Sequence, residues 1–379
     1  MNLLHRYLFK SLLVASLLAV GIFAFLLIVG NVLKDVLGLL TDGQLSYPLF
    51  FRLLSLLIPY VIAYALPLGI LTGVLLVLGR LSAQREITAM RSAGLSLLQI
   101  ASPVFFLAAL GLAFSVTINF HYAPNARAQY REDLSQSIRE NPLNYLVERR
   151  FVRDFPGYVI YVGNKRENEL RDLWIWELGE GRMVSRFLHA EEAVLDYEEA
   201  TESILLVLRE VYAEIRSDSD PEDLRERRPS PSIQQTTIRL PLRDILGGRA
   251  RSKRLGDMTF NEIVNVRREH MADADAAAAE DHFAQLVRIQ LSIQERFAMA
   301  FSVLSLALIA VPLGIRIQRK ETSSNLVIAL CLALVFYFLV IAVGWFETRP
   351  GLRPDILVWF PNILFQAVGI WMFVRIERL

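Results

Sequence analysis

The sequence predicts an α-helical membrane bundle of six transmembrane helices, divided three and three by one inserted all-β domain. Three observations lead to this prediction. The chain has 379 residues, of which 54% are hydrophobic, and its mean hydropathy is +0.37. Six uncharged runs are long enough to cross the hydrocarbon core of a bilayer. Between the third and the fourth run, the pattern changes to the period-two alternation that is typical of strands.

The apolar runs are interpreted as helices because a chain in lipid must satisfy its own backbone hydrogen bonds. A soluble core is not expected to contain six such runs. The first run is too long for a signal-peptide core and lacks a clear cleavage site, so we expect it to be a retained helix. The runs are Ser11–Gly30, Leu53–Gly79, Leu95–Phe120, Phe297–Ile315, Thr322–Phe346 and Ile356–Val374.

The charges of the short loops predict the orientation of these spans. Cytoplasmic loops carry an excess of Lys and Arg. One side carries ten such residues and the other side four. We therefore expect both termini in the cytoplasm and the insert, roughly 121–290, in the periplasm. The ten residues are Arg6, Lys10, Arg80, Arg85, Arg91, Arg316, Arg319, Lys320, Arg375 and Arg378, and the four are Lys34, Arg52, Arg349 and Arg353.

Short alternating segments with turn signals between them predict an all-β, jellyroll-like inserted domain. Turns are expected at Gly163-Asn164 and Gly179–Gly181, and the polar stretch Ser217–Ser232 is expected to be a hairpin loop. Thr259 and Glu262 have the spacing of a capping box that starts a helical connection back to the fourth span. The predicted strands are Tyr158–Val162, Leu173–Trp176, Ser203–Leu208, Val211–Ile215 and Thr236–Leu240. We expect domain limits of 1–122, 123–285 and 286–379.

Catalytic, metal and cofactor motifs are missing from the sequence. There is no phosphate-binding G-x-x-x-x-G-K-[ST] loop, no H-E-x-x-H and no G-x-S-x-G. The five histidines are scattered, and the single cysteine, Cys331, excludes an internal disulfide. A net charge of +1 gives no argument for nucleic acid. We expect no catalytic residue, metal or cofactor in this chain.

The segment between the second and third spans predicts a short amphipathic helix at about 82–94. Ser82 is a candidate N-cap, Gly94 a candidate C′ residue, and Ser96 with Gln99 a capping box for the third span. The apolar side chains Ala83, Ile87, Met90 and Ala93 share one face. Such a helix either lies on lipid headgroups or docks into a groove on a partner. Glu86 favours docking, because an acidic side chain is unfavourable at an anionic leaflet.

Three motifs, taken with the topology, resemble a known family over essentially the whole chain. They are R-L-x-x-x-x-E-I-T-A-M-R-x-A-G-L-S at 80–96, V-P-L-G at 311–314 and W-F-P-N-I-L-F at 359–365. The chain resembles the lipopolysaccharide export permease family (the LptF/LptG type). The L-P-L at 66–68 and the E-I-T-x-M form are more similar to the F-type than to the G-type subunit.

The resemblance implies half of an ABC-type exporter that extracts lipopolysaccharide from the inner membrane for outer-membrane biogenesis. A paralogous LptG-like subunit would complete a central lipid cavity. An LptB-like ATPase dimer would bind ATP and dock on the short helix at about 82–94, which would serve as the coupling helix. The β-domain would pass the lipid to an LptC-like protein at the base of a periplasmic bridge. The residues expected at the ATPase contact are Arg85, Glu86, Ile87, Met90 and Arg91.

Three cations are candidates for binding the lipid headgroup. Lys34 follows the first span and matches in place a family lysine that contacts the lipid head, and Arg52 begins the second span. Arg296, at the start of the fourth span, is expected to face an internal cavity. For each, the alternative is ordinary snorkelling to the interface. The first two spans are expected to supply apolar surface to the acyl chains.

Two other functions stay open from the residues. The chain could be a membrane-anchored periplasmic scaffold or sensor that moves nothing, in which case Glu86 would be dispensable. It could also be another ABC-type permease, such as a lipoprotein extractor, although these usually have four spans.

Overall fold

The computed structural model contains two compact units. The helical unit comprises Met1–Val36, Arg52–Tyr130 and Lys253–Leu379, and the sheet unit comprises Leu37–Phe51 and Arg131–Ser252. The structure describes residues 3–32, 40, 46–140, 146, 148–153, 155–166, 168–179, 183–198, 201, 203–215, 228–241, 253, 255–272, 279–316, 322–346 and 350–377. The domain limits expected from the sequence stay predictions, because the boundaries of the two units fall inside continuous helices.

Six helices in the described part of the chain are long and apolar enough to cross a membrane. This confirms the six predicted spans. The span-forming helices are α1 (Leu3–Leu27), α2 (Tyr47–Ala83), α4 (Leu97–Thr117), α7 (Ala279–Arg316), α8 (Thr322–Gly344) and α10 (Phe360–Glu377). The shorter helices are α3 (Glu86–Ser92), α5 (Ala123–Glu140), α6 (Phe260–Ala272) and α9 (Pro354–Leu357). A π-helical segment, Ile118–Tyr122, joins α4 to α5.

Helix α2 is the centre of the helical unit. Of its most apolar stretch 83% is buried, against 17% for α1 and 22% for α8. The Leu and Val side chains of this stretch form the core of the bundle. The first half of α2 still presents apolar surface, because Tyr47, Phe51 and Ile58 are exposed, and α8 joins α1 as an exposed apolar helix. The expected contact of the first two spans with acyl chains stays a prediction.

Two glycines in α2 allow α1 to approach closely. Gly69 faces Val20, and Gly73, one turn further on, faces Ser16. A Cβ atom added at either glycine would lie 2.6 Å from the backbone nitrogen of the residue opposite. The pair therefore forms a small-xxx-small seam, which is the spacing that allows membrane helices to pack backbone against backbone.

A buried polar network joins α10 to α7. The Asn362 side chain accepts a hydrogen bond from the Ser305 hydroxyl at 2.7 Å and donates one to the Ala298 carbonyl at 2.8 Å. The Gln366 amide donates to the Ser305 oxygen at 3.0 Å. Gly369 lets the α10 backbone lie against Leu308. The W-F-P-N segment thus positions the last span against the fourth.

The sheet unit contains one six-stranded antiparallel sheet among the described residues. Neighbouring strands follow one another in the chain, in the order β1-β2-β3-β4-β5-β6. The strands are β1 (Phe151–Val152), β2 (Tyr158–Arg166), β3 (Glu169–Leu178), β4 (Val184–Glu198), β5 (Ser203–Ile215) and β6 (Arg228–Pro241). All predicted strands are present, but two of them form the single strand β5, and neither β1 nor β4 was predicted.

A bend line crosses five strands of this sheet. The row consists of residues that lie between paired residues of β2, β3, β4, β5 and β6, namely Gly163, Asp172, Glu191, Glu210 and Gln234. Asp172 and Glu210 have positive φ angles of 57° and 51°. In β3, β4 and β5, two successive residues face outward at this row before alternation resumes. The expected turn at Gly163-Asn164 is therefore wrong: Gly163 opposes Asp172 within the sheet, where a side chain would clash.

The two faces of the sheet differ in composition. Ile160, Ile175, Leu188 and Ala213 are cross-strand partners in one row, and all are buried in an apolar core. The next row is aromatic and faces outward, with Tyr161, Trp174, His189 and Tyr212 as partners.

The hairpin loop expected at Ser217–Ser232 is only partly described. Its last part, 228–232, belongs to β6 instead of a loop, and 217–227 lies outside the described residues.

Candidate functional site

The short helix α3 has a well-defined start and end. Before it, Arg85 adopts a left-handed conformation with φ 60°. After it, Gly94 has φ 89°, its N–H donates to the Arg91 carbonyl, and the Leu95 N–H donates to the Met90 carbonyl. This is a Schellman motif, in which glycine takes the positive φ at no steric cost. The predicted C′ role of Gly94 is confirmed, so the helix has a fixed length.

Both sides of the α3 segment are fastened to the spans. Ser96 accepts a hydrogen bond from the Gln99 N–H, and the Gln99 side chain accepts one from the Ser96 N–H, which confirms the predicted capping box of α4. Ser82 is not the N-cap of α3, because α2 continues to Ala83. The Ser82 hydroxyl instead donates to the Ile315 carbonyl at 2.6 Å and joins the ends of α2 and α7.

The apolar face of α3 packs against its own chain. Ile87 is only 4% exposed and belongs to the main apolar cluster of the bundle, together with Leu81 and Ile315. Met90 packs on the same cluster. Arg85 and Arg91 are exposed, and Glu86 is half-buried in the first turn. Of the five predicted contact residues, Ile87 and Met90 therefore anchor the helix, and the charged residues are available to a partner.

A cleft of about 460 Å³ lies beside α3, between the ends of α2, α7 and α10. Residues of all four helices line it. Three arginines contribute to the lining, together with hydroxyl and apolar side chains: Ser82, Ile87, Thr88, Arg91, Ser92, Ile315, Arg316, Trp371, Met372, Arg375 and Ile376. We call this cavity the arginine cleft.

A second pocket, of about 240 Å³, lies at the opposite end of the same helices. Tyr60 and Tyr64 of α2, Asn119 of the π-helical segment and Arg127 of α5 contribute to its lining. The Arg127 guanidinium lies over the Tyr60 ring, 4.0 Å from its centroid, which is a favourable cation–π distance. The pocket therefore combines aromatic walls with a cation that no sequence pattern had indicated.

Arg296 lines this second pocket but is occupied by backbone. It donates to the carbonyls of Met258 at 2.6 Å, Leu255 at 2.9 Å and Gly256 at 3.2 Å. A buried guanidinium needs such acceptors, and here they fix the turn that precedes α6. The contacts give Arg296 a structural role, and its predicted headgroup contact stays a prediction.

Glu262 closes the start of α6. Its carboxylate accepts hydrogen bonds from the Thr259 N–H at 2.7 Å and the Thr259 hydroxyl at 3.0 Å. It also pairs with Lys253 at 2.6 Å. The hydrogen bond from Lys253, followed by that from the Thr259 backbone, lowers the pKa of Glu262. The predicted cap residues are therefore in contact, with the glutamate as the acceptor.

The other two predicted headgroup residues differ in how far the structure describes them. Lys34 lies outside the described residues. Arg52 is exposed in the second turn of α2, and its headgroup role stays a prediction. The sequence prediction does not include Arg127, because the loop-charge rule applies to short loops and this residue lies in the long insert, although it follows the third span closely. Among the described residues, no three His, Cys, Asp or Glu side chains gather in a way that could hold a metal ion.

Comparison with known proteins gives one consistent result. The family model for "Lipopolysaccharide export system permease LptF/LptG" matches residues 6–375. The lipopolysaccharide export system permease protein LptF of Escherichia coli K12 is 22% identical over 391 residues, which cover 99% of this chain and 96% of the relative. LptF of Shigella flexneri gives the same values. The chain has six spans, an inserted sheet and the short helix α3 between the second and third spans. It belongs to the LptF/LptG family of lipopolysaccharide export permeases.

Proposed function

We propose that this chain is the F-type permease subunit of an ABC-type lipopolysaccharide exporter. It is a multi-pass protein of the inner membrane and a component of a transport system. The observation that carries the proposed coupling to an ATPase is the packing of α3 against the bundle. Its apolar side packs into the bundle, and its charged side faces outward at the ends of three spans.

An ATPase partner acts through this helix. A groove on an LptB-like dimer receives Arg85, Glu86 and Arg91, and Glu86 pairs with a basic side chain there. Because Ile87 and Met90 are packed on the bundle core, a movement of α3 displaces the ends of α2 and α7 directly. ATP binds to the partner, and this chain contributes no catalytic residue and no cofactor.

A second, LptG-like subunit covers the apolar helices that this chain leaves exposed. On α1 and α8, large side chains such as Leu18, Phe25, Leu334 and Phe338 are more than half exposed. A cavity between two such surfaces accommodates acyl chains by apolar contact alone. Lipopolysaccharide enters from the side, between the exposed helices of the two subunits.

The lipid headgroup binds at the end of the bundle that carries Arg127. Its phosphates require cations close to the interface. Lys34, Arg52 and Arg127 are the candidates for direct contact, and Arg296 supports the adjoining turn. By the loop charges, this end is periplasmic and both termini are cytoplasmic. The sheet unit then passes the lipid to an LptC-like protein at the base of the periplasmic bridge.

The decisive experiment compares Glu86→Gln with Gln84→Ala in the reconstituted exporter. Gln84 is the exposed neighbour on the same connector. We expect Glu86→Gln to reduce copurification of the ATPase or to uncouple ATP hydrolysis from lipid release, and Gln84→Ala to retain both. Equal transport and equal ATPase recovery for the two variants would refute the proposal.

Two other functions make different predictions. For a periplasmic scaffold, Glu86 is dispensable and no ATPase copurifies. A lipoprotein extractor is disfavoured by the six span-length helices in the described residues, since that class usually has four.

A further inference from the structure

The arginine cleft is chemically one-sided. Arg91, Arg316 and Arg375 come from three different helices and line the same cavity. No Asp or Glu contributes to its lining among the described residues. Three guanidinium groups in one cleft repel one another unless an anion is present. The cavity therefore has the charge of an anion-binding site.

The walls of the cleft select the kind of anion. Ile87, Ile315, Met372 and Ile376 make one side apolar. Trp371, an exposed residue of the last span, lies beside Arg375, whose guanidinium is 5.5 Å from the ring centroid. Tryptophan and arginine at the end of a membrane helix are typical of the headgroup level of a bilayer. A ligand that fills this cleft has both a negative group and an apolar part.

Hydroxyl groups complete the polar side of the cleft. Thr88 and Ser92 of α3 are exposed and line the cavity beside Arg91. Hydroxyl donors next to guanidinium groups suit a phosphodiester, which offers several acceptor oxygens. A protein carboxylate would satisfy the arginines but would leave the apolar wall uncovered.

We propose that the arginine cleft binds the headgroup of an anionic phospholipid, such as phosphatidylglycerol, from the leaflet at the α3 end of the bundle. The lipid phosphate contacts Arg316 and Arg375, and the part of the acyl chain nearest the headgroup lies against the apolar wall. This ligand and its membrane side differ from those proposed for lipopolysaccharide. Its function is to hold the ends of α7 and α10 beside α3, so that the coupling helix has a fixed support.

The test titrates the purified full-length chain with three probes in neutral detergent and follows the thermal midpoint. The probes are dioctanoyl-phosphatidylglycerol, dioctanoyl-phosphatidylcholine and free glycerol 3-phosphate. We expect phosphatidylglycerol to raise the midpoint and the other two to leave it unchanged. An equal response to phosphatidylcholine refutes an anion site, and an equal response to glycerol 3-phosphate refutes a lipid site.

Variants assign the response to the cleft. Each arginine near an anionic headgroup contributes about a factor of five in affinity, so Arg316→Gln with Arg375→Gln should weaken phosphatidylglycerol binding about 25-fold. The matched control is Arg6→Gln with Arg80→Gln, which removes the same charge from two exposed arginines outside the cleft. Equal binding by the two double variants overturns the proposal.

Further outcomes separate a lipid from a protein partner and guard against misfolding. Loss of ATPase copurification with unchanged lipid binding in the Arg316/Arg375 variant assigns the arginines to the partner and overturns the lipid site. If the double variant does not fold, Arg375→Gln and Arg375→Lys replace it. We expect about fivefold weaker binding for the glutamine variant and nearly full binding for the lysine variant. Equal binding by these two overturns the proposal.

Discussion

Replacing Gly73 with alanine should separate α1 from the bundle. The Gly73 Cβ position lies 2.6 Å from the Ser16 nitrogen and 2.7 Å from its Cα atom. Ordinary contact begins at 3.4 Å. A methyl group therefore requires a displacement of about 0.8 Å, and it acts against backbone, which cannot rotate away as a side chain can.

The cost of this displacement follows from the contacts it loosens. A radial gap of about 0.5–1 Å forfeits roughly a quarter to a half of each van der Waals contact along a seam. Overpacking of this kind costs about 1–3 kcal/mol. Gly69→Ala, one turn away against Val20, should have a similar effect. The double variant should lose more stability than either single variant. The loss should mainly reflect detachment of α1, since only 17% of that helix's apolar stretch is buried.

The thermal midpoint of the purified protein in nanodiscs measures the effect. Gly21→Ala in α1 and Gly344→Ala in α8 are matched controls, because an added Cβ at either position meets no atom within 4 Å. Alanine is the better helix former, so the controls should be neutral or slightly more stable. If Gly69→Ala and Gly73→Ala are as stable as the two controls, the close approach of α1 to α2 is refuted.

Three further predictions concern single residues. Asn362→Leu should destabilise the protein by about 1–3 kcal/mol, since each polar contact between membrane helices contributes roughly 0.6–1.7 kcal/mol; a midpoint equal to that of Ser102→Ala, an exposed hydroxyl, would contradict this. Gly94→Ala should cost about 1–2 kcal/mol through its positive φ alone and accelerate amide exchange at the end of α3, unlike Gly344→Ala. Because the pKa of Glu262 is lowered on folding, its stabilising effect is present above about pH 5 and is lost as the pH falls through the lowered pKa. The protection of amides at the start of α6, measured relative to the intrinsic exchange rate at each pH, should therefore decrease in acid in the wild type, and an equal decrease in Glu262→Gln would contradict this.

The spans and the connector helix were predictable because each depends on local sequence. Hydropathy finds any run that must cross a bilayer, and the caps at Gly94 and Ser96 depend on residues within a few positions. Burial within the bundle was not predictable in the same way. The spans are all apolar, so composition does not distinguish the central α2 from the exposed α8. The assignment depends on which glycines and small residues meet across helices.

The bend line explains two of the errors in the predicted strands, the missing β4 and the divided β5. Where Glu191 and Glu192 face outward in succession, the alternation of β4 shifts by one position, and the period-two pattern is lost. The same shift at Arg209 and Glu210 divides β5 into two apparent strands. The arginine cleft was missed for another reason. Its residues are distant in sequence and come together only through the packing of the spans.

The bend line, which runs from Gly163 in β2 to Gln234 in β6, also has a mechanical consequence. It concentrates the departure from regular pairing in one position of each strand, while the ladders on both sides stay intact. A change of angle between the two halves of the sheet therefore requires rotation about the backbone of five residues and breaks no regular ladder bond. The two halves of the sheet can therefore move as stiff units that hinge at the bend line. Such a movement widens or narrows the space over the apolar face of the sheet.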